Sequence, residues 1–238
     1  MKDILKIMRF DFLTAKPLAL KAFIIVVVLF SLLSLFYSPL ISSYITFGAM
    51  VFVIPLQAVA DKSGFNKLYG TLPVKLSNIT RARFLYIFLV HFAAEMLELV
   101  LAVTAKSLKL YRVLPNQNSE MMQMVKESFE DTKLTLLMVI GIFTVVCLIF
   151  SYMEMMGQIY GRENEFKIIM ITLGVLTVLL VVFLTLSDHG IIPPIQMPSL
   201  PDTVQELLLL GAVSNIVMCG ICFIFGEITA SKLAKREL

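Results

Sequence analysis

Three ionisable residues, His91, Glu95 and Glu98, fall at i, i+4 and i+7 within one apolar stretch of the chain. On a helix that spacing brings all three side chains to one face. Glu95 falls near the middle of the stretch, where an ionisable group is costly and marks an interior or functional surface. Two chemistries suit the stripe. It is either a substrate-contact or proton-handling cluster, or a protein-facing seam that hydrogen-bonds neighbouring helices or a second subunit. One helix supplies all three groups and no cationic partner is evident beside them, which weights the reading toward the seam.

Other motif-like strings carry less. His91-Phe-Ala-Ala-Glu95 is not the H-E-x-x-H of zinc peptidases. A glutamate-based intramembrane protease needs histidines on several helices, and His189 falls in a loop. Cys219-Gly-Ile-Cys222 has the letters of a redox motif but lies in an apolar block with no βαβ context, so helix packing is expected. The three cysteines suggest neither a disulfide framework nor a metal site. Gly157-Gln-Ile-Tyr-Gly161 has GxxxG letters, but its neighbours Glu154 and Arg162 favour a loop or helix end over a dimer seam. No G-x-x-x-x-G-K-[ST] string occurs, so the chain is not expected to be an enzyme that binds ATP itself.

The elements that must hold these residues follow from composition. In 238 residues, 58% are hydrophobic and 16% charged, and the mean hydropathy is +0.89. That leaves too little polar surface for an ordinary soluble domain. The apolar residues form continuous blocks of the length a helix needs to cross about 30 Å of hydrocarbon. Continuous blocks, without strand-type alternation, select helices over a barrel. The expected fold is therefore all-α and integral to the membrane, a single domain with six spans at about 18–36, 40–60, 84–108, 134–153, 168–186 and 204–228. No cleavable signal peptide is expected. The net charge of +3 gives no reason to invoke nucleic acid.

Residues 1–17 place Ile4, Leu5, Met8 and Phe12 on one helical face, with Lys2, Asp3, Lys6, Arg9 and Lys16 filling the other. This predicts an amphipathic helix lying in the membrane interface. Tyr37, Ser38 and Pro39 leave room only for a tight hairpin between spans one and two. Residues 109–133 form a loop in which Met121, Met122, Val125 and Phe129 share one face of a short helix. Residues 187–201 hold Pro193, Pro194, Pro198 and Pro201, which exclude a straight helix and predict a bent or re-entrant outer segment. Thr203 with Glu206 three residues on is a capping box that starts the sixth span. Lys and Arg crowd the N-terminus, residues 61–83, Arg162 with Lys167, and the C-terminus, whereas the opposite loops carry mainly Lys109, Arg112, Lys126 and Lys133. The positive-inside rule then puts both termini in the cytoplasm. Asn78-Ile-Thr80, a glycosylation sequon by letter, falls on that inner side.

The 61–83 loop is the most specific stretch. It holds Asp61, Lys67, Tyr69, Leu72-Pro73-Val74-Lys75, Arg81 and Arg83. It resembles the loop between spans two and three in small permease subunits of ABC-2 type transporters. There an acidic residue ends span two, a Leu-Pro-Val turn follows, and a basic residue precedes span three. Basic residues would hold such a knob at an anionic membrane surface. The resemblance implies a type V exporter-like permease fold in a bacterial cytoplasmic membrane, with 61–83 as the coupling loop. It further implies a separate cytosolic ABC ATPase subunit that carries the ATP and Mg, and a second permease copy or paralogue. The chain itself would hold no cofactor. By its shortness and plain outer loops it looks like the exporters of peptides, bacteriocin-immunity factors or amphipathic toxins. Two other functions stay open: a proton-coupled secondary transporter using His91 and Glu95, and a non-transporting membrane immunity or scaffold protein.

Overall fold

The computed structural model describes residues 2–62, 75–114, 119–189, 201 and 203–235. Among them the regular elements are all helical. Helix α1 covers Lys2–Phe36. A 3-10 helix over Pro39–Tyr44 leads into α2, Ile45–Lys62. Helix α3 spans Leu76–Leu108 and is followed by a 3-10 turn over Leu110–Val113. Then come α4, Glu120–Glu130; α5, Thr132–Tyr160; α6, Arg162–Asp188; and α7, Val204–Ala234. Six helical stretches are long and apolar enough to cross a membrane.

Helix α3 sits at the centre and packs against α1, α2, α5 and α7. Its Phe84 and Phe88 meet Phe143 and Cys147 of α5 and Met218 and Cys222 of α7 in one buried cluster. On its other side Tyr86 closes a cluster with Phe52 and Leu56 of α2 and Ala15 and Ala19 of α1. Helix α6 is peripheral. It packs chiefly on α5, and past its first turn none of its described side chains is buried. Such an all-round apolar helix is stable only in contact with lipid or another protein.

The amphipathic stretch 1–17 is not a separate helix. It runs without a break through Pro17 into the first span. Pro17 removes one backbone hydrogen bond, and the good helix formers around it, with packing against the bundle, hold the segment helical. The face turned to the bundle is Ile7, Asp11 and Ala15, all buried, while Leu5 and Phe12 point outward. Small residues at Ala15 and Ala19 let α1 approach α2 and α3 closely, which an apolar-face count cannot anticipate.

The start of α3 differs too. Residues 76–83 are its first two turns rather than part of a loop, so the connection after α2 is shorter than 61–83 implies. At the far end of the bundle, α4 buries Met122, Val125 and Phe129 against Ala105 and Tyr111, as its spacing predicts, but leaves Met121 exposed. Lys106 donates to Phe129 O at 3.1 Å, a cation on the last carbonyls of α4. The Thr203–Glu206 capping box forms with both of its hydrogen bonds. The predicted re-entrant piece at 187–201 lies almost wholly outside the described residues.

Candidate functional site

The His91, Glu95 and Glu98 stripe is fully buried, with no residue more than 1% exposed. Its three members do not meet one another through hydrogen bonds. Each addresses a different neighbour. His91 Nδ1 lies 2.8 Å from Ile87 O, one turn back on its own helix, and the ring stacks on Phe150 of α5 with centroids 5.6 Å apart. Glu98 Oε1 accepts the backbone N–H of Thr46 in the first turn of α2. Glu95 lies beside Asn215 of α7, the two lining one cavity. The salt bridges among the described residues involve none of the three. The stripe therefore ties α3 to α2 through Glu98 and packs on α5 through His91.

Glu95 also faces space. Together with Phe92 it lines a partly open cavity of about 400 Å³ between α3, α5 and α7, flanked by Leu136, Ile140, Gly211 and Asn215 among others. The other lining residues are apolar. Asn215 was not anticipated, although an amide inside an apolar block was a visible signal. If Glu95 serves mainly to pair, Glu95→Gln should give a yield of monodisperse protein near wild type, because the amide still meets Asn215. Glu95→Lys should lower it sharply. Equal loss in both variants, read by size-exclusion chromatography in detergent, would count against pairing.

A second polar site lies where the start of α3 meets the end of α5 and the start of α6. Glu154 of α5 accepts from Arg83 of α3 at 3.3 Å, and its other oxygen pairs with Arg162 at the start of α6. Arg162 also holds Glu165 at 2.9 Å, and Gln158 donates to Glu154. The side chains of these four charged residues are at most 12% exposed. Gly161, at φ +89°, makes the turn that folds α6 back onto α5. At Gly157 a Cβ would sit 2.7 Å from both Arg162 Cζ and Glu165 Oε2, so any larger residue would push these side-chain ends out of their present places. The GxxxG letters therefore serve a helix end.

Of the loop residues singled out from sequence, Lys67, Tyr69, Leu72, Pro73 and Val74 lie outside the described residues, as does the side chain of Asp61. Lys75 is exposed just before α3. Arg81 pairs with Glu227 of α7 at the surface, with a second bond at 2.9 Å. Arg83 lies within α3 rather than in the connection before it, and it is buried where it meets Glu154. A guanidinium two turns into α3 lies against α5 and is drawn to the carboxylate there. Glu154, Arg162 and Glu165 were missed as a site. The 154, 158, 162 spacing of Glu, Gln and Arg was the available sign.

Cys147, Cys219 and Cys222 are free thiols, and Cys222 Sγ lies 3.1 Å from Ser151 Oγ. No cluster of potential metal ligands occurs among the described residues.

Fold and site together define a multi-pass α-helical membrane protein with a charged network at one end and a polar stripe inside. Comparison with protein-family models, with curated proteins and with solved structures gives no match.

Proposed function

We propose that this chain is the permease half of an ATP-driven exporter for hydrophobic or amphipathic substrates, with the ATPase on a separate cytosolic subunit and both termini cytoplasmic. The observation that carries the reading is how the 61–75 connection is wired to the bundle. It feeds directly into α3, a 33-residue helix in contact with four other spans. Within two turns, α3 is tied to α7 by Arg81–Glu227 and to α5 and α6 by Arg83, Glu154 and Arg162. A push on that connection is transmitted to four helices at once, which is what coupling to a soluble motor requires. The resemblance of Leu72-Pro73-Val74-Lys75 to the coupling turn of ABC-2 permeases supports the same reading. The exposed apolar surface of α6 suits a second permease copy or paralogue as well as lipid.

Coupling works only if the loop contacts differ between two states of the ATPase, since only differential affinity shifts an equilibrium. The test is affinity purification of the chain, co-expressed with the ATPases of its neighbouring genes. An ATPase with a phosphate-binding loop should co-purify with the wild type and be lost when residues 63–74 are scrambled. Full retention after scrambling would sink the docking assignment. The proton-relay alternative has weaker footing, because His91 bonds its own helix and no hydrogen bond links it to Glu95.

A further inference from the structure

A smaller groove, of about 170 Å³, lies on the flank of the bundle where the start of α1 meets α3 and α7. Ile4 of α1, Phe84 and Phe88 of α3, and Cys219 and Phe223 of α7 are among its walls. Phe84 and Phe88 are buried, whereas Cys219 and Phe223 are exposed, so the groove opens sideways from a spanning helix. Arg81 is the charged residue among those lining it. It holds Glu227 side-on, through Nε and Nη2, so both carboxylate oxygens are taken. A guanidinium carries five N–H donors in a fixed fork. The pairing uses two of them, and both donors on Nη1 are left over. The Arg81 side chain is 38% exposed, so it is not sealed inside the bundle.

The groove thus combines an apolar wall with a cationic fork, and its size narrows what fits. Its volume is below the roughly 300–1,000 Å³ of sites for drug-sized ligands. A stretch of one acyl chain suits it, and reaches it from the bilayer without leaving hydrocarbon. The charge along the neighbouring helix has mainly one sign. In the first 21 residues of α1, Lys6, Arg9, Lys16 and Lys21 are exposed, against the exposed acid Asp3, while Asp11 is buried. Such a surface attracts anionic headgroups. We propose that the groove seats an anionic phospholipid, one acyl chain against Phe84, Phe88 and Phe223 and the phosphate on the free edge of the Arg81 guanidinium. A zwitterionic lipid offers the same phosphate but brings its own cation, which the cations of α1 repel. Glu227 also repels the phosphate, and Arg81 offsets that by holding both of its oxygens. A seated lipid joins the start of α1 to α3 and α7, because all three wall the groove. The site stands apart from the exporter reading and needs no ATPase.

The test uses the full chain in phosphatidylcholine nanodiscs that hold a small share of phosphatidylglycerol with a photoreactive diazirine in one acyl chain. Saturable cross-links are expected at the start of α1, on α3 around Phe84 and on α7 around Phe223. Unlabelled phosphatidylglycerol should compete for them, and added diacylglycerol should not. Arg81→Gln should weaken the labelling about fivefold, the effect of one cation at an anionic surface. Glu227→Gln removes the competing carboxylate and frees the whole guanidinium, so labelling should strengthen. Both variants break the same ion pair, so a purely structural role for the pair would move them in one direction, and that result would overturn the proposal. Cys219→Phe, which fills the groove without touching the pair, should abolish saturable labelling; unchanged labelling would place the lipid elsewhere and sink the idea. Equal competition by diacylglycerol would show that the headgroup is not read. Labelling present in discs with one chain and lost in discs with two would mean that a second copy covers the groove instead. The competition arm needs only wild-type protein, so a variant that fails to fold does not shield the proposal.

Discussion

Replacing Glu154 with leucine should destabilise the folded bundle by about 3–5 kcal/mol, the range for breaking a buried ion pair from one side. Glu154 pairs with both Arg83 and Arg162, and Arg162 also holds Glu165. Without Glu154, both buried guanidiniums lose a carboxylate and the charge it carries. Leucine matches the volume but supplies no acceptor. Glu154→Gln keeps acceptor capacity on its carbonyl but not the charge, so it should fall between wild type and leucine. Gly157→Ala probes the same network sterically, since its methyl group would collide with Arg162 and Glu165, and should cost about 1–3 kcal/mol. Equilibrium unfolding of purified protein in mixed detergent micelles measures all three. A Glu154→Leu protein as stable as wild type would mean that the network contributes nothing net.

The second large effect is expected at Glu98. A helix leaves its first four N–H groups without intrahelical partners, and inside a bilayer no water is at hand to take them. Helix α2 begins at such a depth because Pro39–Tyr44 is a 3-10 turn within the second span. That turn settles its own side chains locally: Ser42 Oγ donates to Pro39 O at 2.7 Å and Ser43 Oγ to Leu40 O at 2.6 Å. The N–H of Ile45 goes to Ser42 O. Thr46 N–H is answered from another helix, by Glu98. Glu98→Leu should therefore cost roughly 2–3 kcal/mol, the penalty of a buried donor left unmade. Glu98→Gln still offers a carbonyl oxygen and should cost about 1 kcal/mol or less. The order of the two variants in the same unfolding assay is decisive. Leucine no worse than glutamine would show that Glu98 does not cap α2.

Much of the architecture was legible because its causes are local. Each span announces itself as an apolar block, and hydrocarbon thickness sets the block length. The Thr203–Glu206 box forms because both of its bonds join residues three apart. The apolar face of α4 follows from helical spacing, apart from Met121. The break at Gly161 was marked by the glycine and by the charges around it. Less legible were the places where two distant segments meet. Residues 1–17 look interfacial because their composition is amphipathic, yet alanines too small to register in such a pattern dock the helix on α2 and α3. Arg83 reads as a loop cation until the first turns of α3 place it against Glu154. The GxxxG letters could not reveal that a guanidinium occupies the missing side chain's space.

The stripe of His91, Glu95 and Glu98 shows the division most clearly. Sequence alone determined that the three share one face of a spanning helix and that the face points inward, because helical periodicity and the cost of polar groups in hydrocarbon leave no other arrangement. Tertiary structure alone decided what each does. Glu98 caps a helix that starts mid-span, His91 stacks on Phe150, and Glu95 shares a cavity with Asn215. Those assignments depend on which helices lie beside α3 and in what register, and that is set by side-chain packing summed over the whole bundle. No local pattern along the chain encodes it.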